Sequence, residues 1–520
     1  MYFRIFKYLF LICAFSASLN VYAQAKVMNP GLAYGQLVFL TAEDVSSESS
    51  KYKSLYALSI PVFAELPMEL AVVAGAITLS QQNLLSHVQI KSMARKTPNL
   101  DISSLKGGLN NPLFQSLKDG DWIRMELGKE GSISISPSTQ EEAAAYLKSL
   151  QPEKVVLKAD MDQKTIFRTE DIGWQDFISV GSKAANYAEL AKALNTPERI
   201  IVRPGFTIPF YYYQQFIDEN PHIDQEIQRI LKDPLIKKLE AVSYRENKLQ
   251  KLREMILSES AIVNTQLLDD LITKFETIRD KKGLPSKLKL RSSTNAEDLP
   301  DFNGAGLYTS ESYKPVKKKK ELTLEEKHIE LTETLKIVWA SIWNLRAFEE
   351  REHFQIPHSD VKMGIQVNPS FSNEDVDGVI VTKNITNDDR AQGDGIYIEA
   401  QRGDDYSVAN PVPGIQPDRI FIKIDRNQPF NKELYRVVFL QYSNIDDDKK
   451  TILPNPNPNP TMTEDEAKEL VYQCLKAEKH FKPLLDADNA HFALDLEFKI
   501  LKDENKVRQI YLKQARPYIN

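Results

Sequence analysis

The amino-acid sequence predicts a multidomain protein of mixed α/β and α+β class. Three observations carry that prediction. At 520 residues the chain exceeds what one compact core accommodates, so two or three domains are expected. Strand-like apolar runs bounded by glycine turns alternate with helical patterns over most of its length. One stretch, 211–285, departs from that alternation and is helix-rich, with apolar residues at helical spacing in Ile223, Ile227, Ile230 and Leu231.

The elements follow in order. Residues 1–23 have the layout of an export signal: Arg4 and Lys7, an apolar stretch from Tyr8 to about Phe15, then small and polar residues ending in Val21-Tyr22-Ala23. Export with cleavage after Ala23 is therefore expected. The competing reading is an uncleaved anchor, for which the apolar run is short, since a bilayer span takes roughly 20 residues. No stable membrane span is expected after cleavage. Residues 26–137 alternate strand-like runs (Gln36–Leu40, Ile133–Ile135) with glycine turns and one helical patch, the pattern of a small α/β domain. Residues 138–164 form a linker whose helix, from Thr139, opens with an acidic first turn. Residues 165–520 form the second domain, interrupted by the helical insertion at 211–285. Within it the pattern predicts one long helix from Leu322 to about Phe354 and a strand at Gly378–Thr382. Pro454–Pro460, with proline at every second position, reads as an extended surface connection.

Composition narrows the function classes. Hydrophobic residues at 42% and charged residues at 27% are those of an ordinary globular protein and argue against long disorder. A formal net charge of −6 offers no basic face, so nucleic acid is not expected as a partner. The basic run Lys317–Lys320, beside Glu321, Glu325 and Glu326, reads as a solvated loop entering a helix. Once Cys13 is removed with the signal, Cys474 remains as the one cysteine, which excludes an internal disulfide and a Cys-rich metal site. The seven histidines are scattered, and zinc is not expected.

Two segments carry chemistry. In the first, a short alternating strand, Lys287–Leu290, delivers Arg291, Ser292 and Ser293, and a loop containing Gly304 and Gly306 follows. Arginine offers a planar fork to phosphate oxygens, and a glycine loop lets backbone N–H groups approach them; such loops are also ordinary turns. In the second, Asp495 and Glu497 alternate with apolar Leu494, Leu496 and Phe498, so both carboxylates share one strand face. Gln514 and Arg516 alternate in the same way, and a hairpin would place all four side chains together. Two carboxylates on one face suit Mg²⁺, which takes one or two of them plus substrate phosphates. The alternative is an amphipathic surface hairpin.

Taken together these segments resemble the nucleotide-binding domain of the pyruvate phosphate dikinase, phosphoenolpyruvate synthase and glucan water dikinase superfamily. The resemblance rests on Arg291-Ser292-Ser293 with Ala296-Glu297-Asp298, on Asp495-x-Glu497-Phe498, and on Gln514-Ala515-Arg516-Pro517. Gly181-Ser182-Lys183, Arg203-Pro204-Gly205-Phe206 and Val338–Phe348 match further family segments in the right order. It covers about 165–520 and implies an ATP-grasp fold that uses ATP and Mg²⁺. It implies that Lys183 and Arg291 hold ATP phosphates, with Ser292, Gly304, Gly306 and Gln366 also lining the nucleotide site. Asp495 and Glu497 would hold the metal ion, while Gln514, Arg516 and Arg291 would orient and neutralise the reacting phosphoryl group. The segments expected to line the adenine pocket, Met363–Pro369, and to follow it, Ala400–Asp405, depart from the family pattern.

His87 lies in Leu85-Ser86-His87-Val88. Alone, a Ser-His pair at a helix start is a capping signal. In context it resembles the phosphorylatable histidine of the swivelling domain of the same superfamily, with Asn29–Gly35 and Leu117–Ile123 resembling that domain's opening and closing segments. The resemblance implies a dikinase that moves the β-phosphoryl group of ATP to His87, releases AMP and phosphate, and then phosphorylates an acceptor. Histidine domain first and nucleotide domain last is similar to the arrangement in glucan water dikinases. On that reading pyruvate is not the expected acceptor, and a glucan is expected only by analogy. Since extracytoplasmic spaces hold little ATP, the rival expectation is an exported nucleotide-binding or interaction protein of the same fold without turnover.

Overall fold

The computed structural model describes residues 25–518, except 281, 298, 300, 301, 303, 305, 404, 405, 409–413, 487, 504 and the side chain of His87. The expected export signal lies outside the described residues. Among the described residues no helix is long and apolar enough to cross a membrane. The chain divides into two compact units. One comprises residues up to Pro67, Val73–Gln82 and Lys96–Leu150; the other comprises Met68–Val72, Asn83–Arg95 and the chain from Gln151 onward. The helix that begins at His87 is thus grouped with the second unit, not with the 26–137 segment in which the sequence placed it.

The first unit is built on a seven-stranded sheet of β1 (Lys26–Asn29), β2 (Gly31–Leu40), β3 (Ser59–Phe63), β4 (Ala76–Thr78), β5 (Asn99–Asp101), β6 (Trp122–Leu127) and β7 (Ile133–Pro137). Their order across the sheet is β1-β5-β4-β3-β2-β6-β7. Strands β2, β3, β4 and β5 are parallel, and antiparallel strands close both edges. Every residue of β3 is buried, as a parallel strand at the centre of a sheet requires. Gly35 is where β2 meets the chain entering β3: a Cβ there would lie 2.5 Å from the carbonyl oxygen of Leu58. The helix Gln140–Ser149 begins with a capping box, Thr139 accepting from the Glu142 amide and Glu142 accepting from the Thr139 amide. Tyr146 packs on Tyr34 of β2, with ring centroids 5.0 Å apart. The expected helical linker is therefore two things: a helix that belongs to the first unit, and a stretch, 151–166, without helix or strand.

The strands of the second unit are β8 (Phe167–Arg168), β9 (Phe206–Ile208), β10 (Leu288–Thr294), β11 (Glu311–Tyr313), β12 (Val316–Lys317), β13 (Lys320–Glu321), β14 (Met363–Pro369), β15 (Val376–Val381), β16 (Gly395–Arg402), β17 (Asp418–Lys423), β18 (Arg436–Gln441), β19 (Leu494–Lys502) and β20 (Arg508–Pro517). They form two antiparallel sheets, β11-β10-β14-β9-β8 and β18-β17-β16-β15-β19-β20, and the small hairpin β12–β13. The helical insertion consists of Phe210–Asp218, Pro221–Lys232, Val242–Leu257 and Thr265–Phe275. Its buried face, including Ile223, Ile227 and Ile230, shares one core with the five-stranded sheet. A second core joins the six-stranded sheet to the helix Glu464–Leu485 and to Tyr187, Leu190 and Leu194 of the helix Ser182–Leu194.

One expectation from the sequence is corrected and another is sharpened. The single helix from Leu322 to Phe354 is broken into Leu324–Ala340, a 3₁₀ turn Ser341–Trp343, and Leu345–His353. Asn344 between them is extended (φ −62°, ψ 141°), which lets Ile342 and Trp343 both enter the core. The run Lys317–Lys320 is exposed and leads into the helix Leu324–Ala340, as expected, and does so as a tight hairpin in which Lys318 and Lys319 take positive φ. Pro454–Pro460 contains neither helix nor strand, as expected, and Asn457 anchors it through the carbonyl oxygen of Ile445 at 2.9 Å.

Candidate functional site

Strands β19 and β20 pair so that Asp495 faces Arg516 and Glu497 faces Gln514. The alternation of apolar and polar residues in both segments produces this hairpin, and it brings together the four residues predicted to meet. Arg516 donates through Nε to Asp495 Oδ2 at 2.8 Å, and its Nη2 lies 2.7 Å from the same oxygen. Both residues are buried. Burial pushes the Asp495 carboxyl above its ordinary range, against the pull of Arg516. Its second oxygen, Oδ1, is buried without a hydrogen-bond partner. Glu497 pairs with Lys513, Nζ to Oε2 2.6 Å. Burial raises the Glu497 carboxyl too, but Lys513, Arg516 and Arg291 outweigh it and hold it well below the usual carboxylate range.

The second group of side chains stands on β10 and β14. Their register sets Arg291 opposite Gln366 and Ser292 opposite Ile365. The segment expected to line the adenine pocket, Met363–Pro369, is therefore β14 itself. Gln366 is buried, and neither its Nε2 nor its Oε1 has a hydrogen-bond partner. Arg291 has one long bond, Nε to Asn368 Oδ1 at 3.3 Å. The reach of Arg291 to Glu497 and Lys513 ties this group electrostatically to the hairpin.

Lys183 arrives from the first turn of the helix Ser182–Leu194. Gly181 ahead of it has φ +87°, and a Cβ there would lie 2.6 Å from the carbonyl carbon of Ser293, so glycine alone fits. Ser293 Oγ caps the Ala184 amide at 3.0 Å. Lys183 Nζ donates to the Ser292 carbonyl and to Glu297 Oε1, both at 2.9 Å, and lies 3.5 Å from Ser292 Oγ. Glu297 also accepts the Thr294 amide at 3.0 Å. Gly304 is closed against Glu297, whose Cγ a Cβ would meet at 2.6 Å, and Gly306 takes φ +71°. Asp298, Asn303 and Ala305 of this loop lie outside the described residues.

His87 is the first residue of the helix His87–Ala94, and Ser86 caps it by accepting the Gln89 amide. Leu85 packs with Val379, Val381 and Tyr397, and Val381 stands opposite Asp495 in the β15–β19 register. Tyr518, two residues beyond Arg516, directs its hydroxyl to the Met93 sulfur at 3.9 Å. The helix that starts at His87 therefore packs, through the flanking Leu85 and through Met93, on the six-stranded sheet and the chain just beyond it.

Glu297 and Lys513 received no role from the sequence, although both occupy the site. Lys513 could have been found, being next to Gln514 on a strand already singled out. The partnership of Glu297 with Lys183 spans 114 positions and leaves no local signal.

The arrangement fits a phosphate-bearing nucleotide: two cations, Lys183 and Arg291, an unpaired amide at Gln366, and an unpaired carboxylate oxygen at Asp495. Two carboxylates are also the number that Mg²⁺ takes when phosphates complete its shell. Among the described residues no group of three or more His, Cys, Asp or Glu side chains is disposed to hold a metal. Comparison with known proteins agrees with the nucleotide fit. Residues 178–519 match the model of the pyruvate phosphate dikinase, AMP/ATP-binding domain family. Phosphoenolpyruvate synthase of Aeropyrum pernix is 26% identical over 392 residues, covering 69% of this chain and 42% of that protein. Those of Pyrococcus furiosus and Deinococcus radiodurans are 22% and 26% identical, covering 67% and 65% of this chain and 43% and 39% of their own length. The chain spans about two fifths of the length of these relatives.

Proposed function

Because the chain belongs to the pyruvate phosphate dikinase, AMP/ATP-binding domain family, we propose that it is an ATP-dependent, dikinase-type phosphotransferase working through His87. The observation that carries this reading is the gathering of Lys183, Arg291, Gln366, Asp495 and Arg516 in the same compact unit as the helix that starts at His87. Lys183 and Arg291 grip ATP phosphates, and Gln366 meets the base or ribose with its free amide. Asp495 and Glu497 would hold Mg²⁺, which when bound would neutralise phosphate charge. Arg516 and Gln514 orient the phosphoryl group, consistent with phosphoryl transfer being mostly positioning and charge stabilisation.

His87, with its ring in the neutral form, acts as the nucleophile. A ring nitrogen bonds to the β-phosphorus as the bond to the α,β-bridging oxygen breaks, and AMP leaves. One water then removes the γ-phosphate and leaves phosphohistidine. The amides at the helix N-terminus favour the resulting anion. Residues 1–23 we read as an export signal, a reading checked by the N-terminal mass of the protein recovered from its native host.

The test is to incubate the full mature chain with Mg²⁺ and ATP labelled at the β-phosphate. Acid-labile label on the wild type and none on His87→Ala is expected, with AMP formed in step. Absence of both label and AMP overturns the proposal. Chasing the labelled protein with pyruvate or with a glucan identifies the acceptor class by which one removes the label.

A further inference from the structure

Segment 83–95 is held in its unit by two buried carboxylates that belong to neither the β19–β20 hairpin nor β14. On the N-terminal side of His87, Glu399 of β16 accepts the Leu84 amide at 3.2 Å and the Tyr397 hydroxyl at 2.9 Å through the same oxygen. Arg419 of β17 lies 3.6 Å from that oxygen and donates to Asn83 Oδ1 at 2.8 Å. On the C-terminal side, Glu350 receives Arg95 through both oxygens, Nε to Oε2 at 3.0 Å and Nη2 to Oε1. Arg95 also donates to the carbonyls of Leu70 and Ala71, at 3.0 and 2.6 Å. Lys91, one helical turn after His87, stands 4.0 Å from Glu350 Oε1. Lys91, Arg95, Glu350 and Glu399 are all buried.

Buried ion pairs add little net stability, because desolvation offsets their attraction; their best-attested use is to fix a register. Here the register matters. The helix they grip starts at His87, and Leu85, between the two anchors, shares a buried apolar cluster with Val381, the strand neighbour of Asp495. We propose that Glu350 and Glu399 are positioning residues: they set the register of the His87 helix against the sheet that carries Asp495 and Arg516, and so control the rate of phosphoryl transfer without controlling ATP affinity. This inference rests on the phosphotransferase reading given above.

The experiment combines labelling with hydrogen exchange on the full chain. In Glu350→Gln, the rate of His87 labelling at saturating ATP is expected to fall by about tenfold or more, the scale on which small misplacement slows a transfer step. The Kd for ATP stays unchanged, amides 84–95 exchange faster, and Glu350→Asp recovers part of the rate. An unchanged labelling rate, a parallel loss of ATP affinity, or unchanged exchange in 84–95 each overturns the proposal. Should Glu350→Gln not fold, Asn83→Ala, which removes only the acceptor of Arg419, must shift rate and exchange in the same directions. If the wild type takes no label, the phosphotransferase reading fails by itself. Exchange then decides separately whether the two carboxylates hold the helix.

Discussion

The two walls of the candidate site satisfy their charges differently. On the hairpin, Asp495 is paired with Arg516 and Glu497 with Lys513, each at hydrogen-bond distance. On β10 and β14, Gln366 has no partner and Arg291 has one long bond. The hairpin thus has its charges paired before any ligand arrives, with Asp495 Oδ1 left without a partner, while the opposite wall keeps most of its hydrogen-bonding capacity for something outside the chain. A wall of the first kind contributes to folding; a wall of the second kind gives up stability and recovers it on binding.

Arg516→Met should be the most damaging substitution on the hairpin. That change leaves Asp495 buried without its counter-charge, and a loss of about 3–5 kcal/mol is expected, measured as a lower urea midpoint. The double variant Asp495→Asn with Arg516→Met should recover much of it, because no buried charge is then orphaned. A smaller loss, about 1–2 kcal/mol, is expected for Lys513→Met, whose pair with Glu497 is less completely desolvated. The opposite wall should answer with the opposite sign. Gln366→Met removes two unpaired buried atoms and should stabilise the free protein by about 1 kcal/mol, while weakening ATP binding in titration calorimetry. A loss of stability at Gln366 would show that both walls are built alike.

The hairpin was legible because strand alternation is local: a period of two in 494–498 and again in 514–516 sets which side chains share a face, although the bulge that skips Lys513 and puts Ile510 and Leu512 in the core left no trace in that pattern. Lys183 was legible only through the resemblance of Gly181-Ser182-Lys183 to a family segment, in which the structure explains Gly181 by the closeness of Ser293. Contacts that join distant parts of the chain left no such trace. Arg95 and Glu350 are 255 positions apart, and Leu84 and Glu399 are 315 apart. Nothing in the periodicity of 322–354 announced the break at Asn344 either, since all three of its pieces keep helical spacing and the turn is imposed by the core that Ile342 and Trp343 enter. The grouping of 83–95 with the second unit was hidden for the same reason, because sequence neighbours on both sides belong to the first.

That last feature bears on how the molecule can be dissected. The backbone changes unit after Pro67, Val72, Gln82, Arg95 and Leu150, so no single cleavage point separates the two. A fragment ending at Leu150 would carry Lys91 and Arg95 without Glu350, and Leu85 without Val379, Val381 and Tyr397. A fragment starting at Gln151 would leave Glu350 without Arg95 and Lys91, and Glu399 without the Leu84 amide. Mixing the two fragments, rather than expressing either one, is the form in which a split version of this protein should regain its fold.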